Sequence, residues 1–265
     1  IGHTPFAHCG EVFLNDLYNK HTGRYFTHNI HSARVLDQIF PLNLTLQTLS
    51  GIAGQNGEIE LAEYRPVPMD SFADFEAELE KCYTIPGYSN KIQPSTLEGN
   101  VVRISDIIAY LGKDRQDAAN IQMVDHSDFP TTSVIGTINS EIINNLVVNI
   151  IENSYGQPYI MLDEDHFKAV QSYKKENYAV IYANEPGRAI LKRVVEPMMQ
   201  EIYEQLLEDL QQEKTDSPIF RHHIDYVNQS RYPREIPYEK TEPNQIIVDY
   251  IASMTDDYLI DLHRY

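Results

Sequence analysis

The sequence predicts an all-α domain with long loops, and three observations carry that expectation. Apolar residues recur at helical spacing through most of the chain, period-2 alternation is scarce, and Ser, Asp or Pro stands where the periodic stretches begin. With 265 residues, 42% of them hydrophobic and 23% charged, the chain can bury a sizeable core and is too apolar for a disordered one.

Taken in order, the elements follow from local pattern. His8 and Glu11 lie three apart, as do His28 and His31, so each pair can share a helix face. Phe72, Phe75, Leu79 and Cys82 keep helical spacing behind Ser71 and Asp74, which are placed like a capping box. Ser95 and Glu98 form a second such box, expected to open a helix with Leu97, Val101, Ile104, Ile108 and Leu111 in one apolar stripe. Arg103, Asp106, Tyr110 and Asp114 make a polar stripe roughly 120° away on that helix. Asp106, flanked by Ile104, Ile107 and Ile108, is expected to be at least partly buried. The competing reading is an Arg103–Asp106 ion pair on a solvated face.

Further on, Ile142, Ile143, Leu146, Val147, Ile150 and Ile151 repeat behind a possible Ser140 cap. Leu191 to Glu213 reads as a long amphipathic helix that Pro197 should start or kink, with the Met198–Met199 pair in the core or at an oligomer interface. Ile247, Ile251, Met254 and Tyr258 mark a last helix after Pro243. Gln55 to Asp70 and Tyr83 to Pro94 read as irregular, and Lys214 to Pro243, with Pro218, Pro233, Pro237 and Pro243, as a Pro-rich excursion or flexible loop. The expected organisation is a single helical domain over 1–265 with that excursion at 214–243.

Charge and composition exclude several classes of function. The formal net charge is −18, from 21 basic and 39 acidic residues, and gives no strong nucleic-acid signal because phosphate backbones need clustered Lys and Arg. No apolar run approaches the roughly 20 residues of a membrane-spanning helix. Two cysteines, Cys9 and Cys82, make neither a disulfide framework nor a Cys-based zinc site, and point to a cytoplasmic location. The chain opens at Ile1 without Met, so the absence of a leader carries little weight.

Chemistry concentrates at the front. Five of the ten histidines, His3, His8, His21, His28 and His31, fall in the first 31 residues. Imidazoles suit proton transfer and phosphate contact near neutral pH. Ordinary surface histidines capping helices remain the alternative. Arg221, His222 and His223 with Asp225 could contact phosphates but read first as a solvated loop, and His126 between Asp125 and Asp128 as a loop histidine.

Four segments in order resemble the HD-domain phosphohydrolases, closest to the deoxyguanosine triphosphate triphosphohydrolase (dNTPase) group. Ile1-Gly-His3-Thr-Pro-Phe-Ala-His8-Cys-Gly-Glu11 is similar to the segment after that family's His-Asp doublet. Phe26-Thr-His28-Asn29 resembles its next helix, and Arg103-Ile-Ser-Asp106-Ile-Ile-Ala-Tyr110 the helix supplying the fourth metal ligand. Asp249-Tyr-Ile-Ala-Ser-Met254-Thr-Asp256 is similar to its C-terminal signature, with Ser253 in place of a glycine.

The resemblance implies an HD/PDEase-like helical fold and roles residue by residue. Asp106 matches the aspartate that completes a His, His, Asp, Asp metal site. His8 matches the acid or base at the scissile phosphoester, Glu11 the residue orienting it, and His28 a histidine beside the phosphates. His3 matches a phosphate contact, and Tyr110 and Asp114 the readers of the sugar and its 3′-hydroxyl. The family's first metal histidine and its doublet would lie upstream of Ile1, so the chain is expected to be N-terminally truncated relative to it. Expected partners are a dNTP substrate and further copies of the chain, with the Lys214–Pro243 stretch and the helix from Leu191 as contact surfaces. The expected cofactor is a divalent metal ion: Mn, Mg, Fe, Co, Ni or Zn. The implied reaction turns a dGTP-like deoxynucleoside triphosphate into deoxynucleoside and inorganic triphosphate. Alternatives are another HD-domain nucleotidase or nucleotide phosphodiesterase, and a catalytically impaired helical protein with an assembly or regulatory role. The expected geometry puts Asp106 in one cavity with His8, Glu11 and His28, and Tyr110 and Asp114 along its next two turns.

Overall fold

The computed structural model describes residues 1–56, 61–125, 129, 133–183, 185–230 and 236–264, with only the backbone of 185–188. The helices in the first half are α1 (Ala7–Thr22), α2 (His28–Arg34), α3 (Leu46–Ala53), α4 (Phe72–Thr84) and α5 (Leu97–Asn120). The second half adds α6 (Asn139–Ser154), α7 (Glu164–Asn177), α8 (Glu185–Gln211), α9 (Asp225–Asn228), α10 (Pro243–Ile251) and α11 (Asp256–Arg264). Two-residue strands β1 (Glu63–Tyr64) and β2 (Ile160–Met161) pair antiparallel, Glu63 opposite Met161 and Tyr64 opposite Ile160. The fold is all-α, as the periodicity predicts.

Among the described residues three apolar clusters form the interior. One joins α1, α8, α10 and α11 through Leu14, Tyr18, Met199, Tyr203, Ile247 and Leu259. A second joins α5, α6 and α7 through Ile107, Leu111, Ile142, Leu146 and Val170. The third packs α2, α3 and α4 through Ile30, Leu49, Phe75 and Cys82. Helix α5 meets α3 at two glycines: a Cβ on Gly99 would stand 3.2 Å from the Gly51 Cα and 2.4 Å from the Pro94 ring. That close approach brings the polar stripe of α5 toward the N-terminal helices.

Local capping shifts several expected boundaries. Ser71 caps α4, its hydroxyl accepting the Asp74 N–H at 3.1 Å. For α5 the cap is Thr96, whose hydroxyl accepts Gly99 N–H at 3.1 Å, and not Ser95, whose N–H donates to the Ser50 hydroxyl at 2.9 Å. Helix α6 starts one residue before Ser140, with the Glu141 carboxylate accepting the Thr137 N–H at 3.1 Å. Only part of its stripe is covered: Ile142 and Leu146 are buried, whereas Ile143, Val147 and Ile151 are exposed. Val101 of α5 is likewise exposed.

Helix α8 does not begin at Pro197 but runs through it. Val195, Met198, Met199, Ile202, Tyr203 and Leu206 are buried on both sides of the proline, and this packing outweighs the lost hydrogen bond. The helix is thus the spine of the first cluster and not an exposed one. The expected last helix is two, α10 and α11, divided at Ala252–Thr255. The stretch expected to be a loop at 214–243 is partly helical: a π-helical segment at Ile219–Ile224 leads into α9, and Ile219, Ile224, Val227 and Tyr238 enter the core. Its apolar residues at helical spacing lie between the prolines, which is why proline count alone misreads it. Among the described residues no helix is long and apolar enough to cross a membrane.

Candidate functional site

The turn into α1 sets up the site. Phe6 (φ 60°) and Ala7 (φ 52°) both hold left-handed backbone, a conformation that costs an L-residue roughly 1–2 kcal/mol. The Thr4 hydroxyl donates to the Ala7 carbonyl at 3.0 Å across this turn. Gly10 closes it from below, since a Cβ there would lie 1.7 Å from the Pro5 carbonyl oxygen. Folded this way, residues 3 and 8 face each other: the His3 and His8 rings are 5.1 Å apart.

Helix α2 brings the third ring. His28 lies 5.0 Å from His3 and 5.6 Å from His8, ring centre to ring centre. Glu11 sits between them. Its carboxylate meets Nδ1 of His28 at 3.0 Å and Nδ1 of His8 at 3.2 Å, and accepts the His28 backbone N–H at 2.8 Å. Glu11 therefore also caps α2, where a negative charge is favoured. Because both imidazoles turn Nδ1 toward Glu11, both turn Nε2 away from it. His8 is the outer member, its side chain 67% exposed, against 13% for both His28 and Glu11. Burial acts to raise the Glu11 carboxyl, but the hydrogen bonds from His28 and His8 outweigh it and hold the group well below the usual carboxylate range. His3 is lowered by its own burial, with His28 and His8 adding to the effect.

The ligand atoms of His3, His8, Glu11 and His28 all lie within 4.8 Å of one another, and this donor set could hold a transition-metal ion. Both Glu11 oxygens, however, are already committed to imidazole and backbone donors. That arrangement orients histidines toward a ligand. Asp106, the residue expected as a metal ligand, is exposed and is not grouped with these donors, and one exposed carboxylate does not supply the several donors such an ion needs.

Helix α5 comes near the cluster at Asp114. Asp114 is half-buried and close enough to feel His8 electrostatically. Burial raises its carboxyl above the ordinary value, against the pull of the Tyr182 hydroxyl, which donates to it, and of His8. Tyr110, one turn earlier, is near Tyr182 as well. Asp106 differs from expectation: it is exposed, and it is not among the clustered donor groups. The reason is helical phase, since Ile104, Ile107 and Ile108 turn to the opposite side of α5. The ion-pair alternative fails too. Arg103 is buried and donates to the Ile92 carbonyl at 2.5 Å and the Gly54 carbonyl at 3.4 Å.

The remaining histidines divide by environment. His21 stacks on Tyr203 and bonds Glu204 at 3.1 Å, away from the cluster. His31 is buried beside Asp249, and burial drops its imidazole from an ordinary 6.5 to about 4. Its 3.7 Å approach to Asp249 is therefore not an ion pair. His223, expected in a solvated loop, is buried with Nε2 2.7 Å from the Tyr238 hydroxyl, while His222 reaches the Tyr258 hydroxyl at 2.5 Å. His3, His31, His222, His223 and Asp249 line a cavity of about 530 Å³ behind the cluster. His126 and Asp128 lie outside the described residues. Cys82 is buried and pushed up to about 12, an inert thiol.

Three contributors have no signal in spacing. Arg34 of α2 makes a bidentate pair with the buried Asp249, Nε and Nη2 both at 2.8 Å. Asp256 accepts the Phe6 N–H at 2.8 Å across 250 residues. Tyr182 reaches Asp114 from a π-helical segment, across 68 residues.

Comparison with known proteins extends this picture. Residues 160–265 match the family model described as a phosphohydrolase-associated domain. Over 98% of its length the chain is 26% identical to a deoxyguanosinetriphosphate triphosphohydrolase-like protein of Caldanaerobacter subterraneus subsp. tengcongensis, covering 62% of that protein. It is 24% identical to a protein of the same name from Rickettsia bellii, covering 72% of it, and 28% identical to one from Clostridium tetani, covering 64% of it. The chain thus spans roughly two thirds of the length of these curated relatives.

Proposed function

From a chain that is homologous along nearly its whole length to the deoxyguanosinetriphosphate triphosphohydrolase-like proteins, we propose that this is a phosphohydrolase of the HD type whose substrate is a deoxynucleoside triphosphate. The observation that carries the proposal is the Glu11 carboxylate holding His8 and His28 by Nδ1, with His3 closing the group. Such carboxylate–imidazole pairs fix the tautomer and present Nε2 to a substrate, as proton transfer and anion contact both require.

In this reading the triphosphate lies over the three imidazoles. His8, the most open of them, moves the proton at the scissile phosphoester. His28 and His3 contact the phosphate oxygens. Water adds at the α-phosphorus, the bond from phosphorus to the 5′-oxygen breaks, and that oxygen leaves protonated as the deoxynucleoside. Asp114, held by Tyr182, would accept the sugar hydroxyl and Tyr110 pack on the ring. A divalent metal, when bound, neutralises charge on a tetra-anionic triphosphate. Asp106, exposed and apart from the clustered donor groups, is not assigned to it.

The test is product analysis. The full-length protein is incubated with dGTP and each other dNTP plus Mn or Mg, and the products are resolved by anion exchange. Inorganic triphosphate with free deoxynucleoside is expected. Pyrophosphate or single phosphates as products would replace this reading with that of another nucleotidase.

A further inference from the structure

We propose that Asp256 is a positioning residue: its carboxylate holds the left-handed turn at Phe6 and Ala7 and thereby sets His3 and His8 against His28. The inference rests on the phosphohydrolase reading of that cluster, and it assigns a task to the C-terminal Asp-Tyr-Ile-Ala-Ser-Met-Thr-Asp segment.

The Asp256 side chain is not occupied in forming its own helix. Thr255 does that, its hydroxyl accepting the Tyr258 N–H at 3.2 Å. Leu259, one turn on, is fully buried, so the helix start is fixed without help from the Asp256 carboxylate. That carboxylate is directed instead at Phe6, 250 residues away, and takes its N–H at 2.8 Å. Phe6 and Ala7 are consecutive residues with positive φ and neither is glycine, so the turn they form needs external support. The same short segment of chain places Asp249 on Arg34 of α2, the helix that begins at His28. Both backbone pieces that carry the cluster are therefore tied to one C-terminal stretch, His3 and His8 through Asp256 and His28 through Asp249.

The experiment compares Asp256→Ala, Asp256→Asn, the double variant Asp256→Ala with Ala7→Gly, and the control Asp257→Asn in the full-length protein. Asparagine keeps an oxygen acceptor for the Phe6 N–H, and glycine adopts positive φ unaided. For Asp256→Ala we expect kcat to fall by about ten- to a hundredfold with KM within a few-fold, because misplacing a reacting group by an ångström has that consequence. Asp256→Asn should keep most of kcat, the double variant should regain part of it, and Asp257→Asn should match the parent. Histidine 13Cε1 chemical shifts are read in parallel without substrate, and those of His3 and His8 should move in Asp256→Ala alone among the single variants. Unchanged shifts and kcat in Asp256→Ala would overturn the proposal, as would equal losses in Asp256→Asn. If no nucleotide is hydrolysed by the parent, the functional reading fails, while the histidine shifts still decide whether Asp256 sets the cluster.

Discussion

Replacing Asp249 by Ala tests the buried pair that anchors helix α2. Asp249 is 1% exposed and accepts four hydrogen bonds: two from Arg34 at 2.8 Å, one from the Tyr238 hydroxyl at 2.9 Å and one from Gln245 Nε2 at 2.9 Å. Burial would raise this carboxyl, but Arg34 outweighs it and the group sits below its ordinary value. The Arg34 side chain is only 11% exposed, so removing the carboxylate strands a cation in the interior. Breaking a buried pair from one side costs about 3–5 kcal/mol, and for a domain of this size each kcal/mol lowers Tm by about 2–4 °C. Thermal unfolding at pH 7 should therefore show a fall of roughly 6–20 °C. The double variant Arg34→Met with Asp249→Leu should recover most of it, because a well-packed apolar pair removes the stranded charge. A single-variant shift under about 3 °C, or a double variant no better than the single one, would refute the pairing argument. The sign with pH follows from the depressed carboxyl. Its contribution is complete above the unfolded value near 4 and disappears as pH falls through the folded value.

Three further outcomes follow from the same geometry. Glu11→Gln keeps an acceptor for the His28 N–H but loses the charge shared by two imidazoles, so kcat should fall by about a hundredfold in steady-state assays, and a loss under threefold would count against Glu11 as orienter. Gly10→Ala forces a Cβ to within 1.7 Å of the Pro5 oxygen, so the turn must open; a loss of about 1–3 kcal/mol in urea titration and at least tenfold in kcat is expected, and parental values in both would refute the clash. His31, beside Asp249 and Arg34, stays neutral in the fold down to about 4, whereas the unfolded chain takes up its proton near 6.5. Stability should then be full above 6.5 and fall by about 2 kcal/mol between pH 7 and 5, and His31→Phe should flatten that slope. An unchanged slope in the variant would show another group to be responsible.

Much of this was open to inspection in the sequence because it is local. The stripe Ile104, Ile108, Leu111 is buried as its spacing requires, and Ser71 caps α4 as its box requires. The site was half legible for the same reason. His8 and Glu11 are one turn apart, and the distance from Glu11 to His28 is only 17 residues, so the cluster condenses from a short segment. What spacing could not carry is direction. Arg103 shares the polar stripe by angle yet bends inward, because its guanidinium finds the Ile92 and Gly54 carbonyls. The left-handed turn at Phe6 and Ala7 has no glycine to announce it. Tyr182 and Asp256 reach their partners across 68 and 250 residues, distances at which no periodicity survives.

The two ends of the chain divide the work. Residues near the start hold the titratable groups, and the 160–265 region that matches the phosphohydrolase-associated model holds them in place. Among the described residues, bonds that cross between the two include Phe6 to Asp256, Tyr18 to Gln245, Lys20 and His21 to Glu204, and the bidentate Arg34 to Asp249. In each, a carboxylate or amide oxygen from the C-terminal part faces a group of the N-terminal part. This places acidic side chains of a chain with net charge −18 on the back of the site, where they orient helices α1 and α2. The face left for an anion then carries the three imidazoles, with the Glu11 charge turned inward between them. Global acidity is compatible with the anionic substrate proposed above because the acids near the cluster are engaged by its own scaffold, and the attraction that matters acts over a few ångströms.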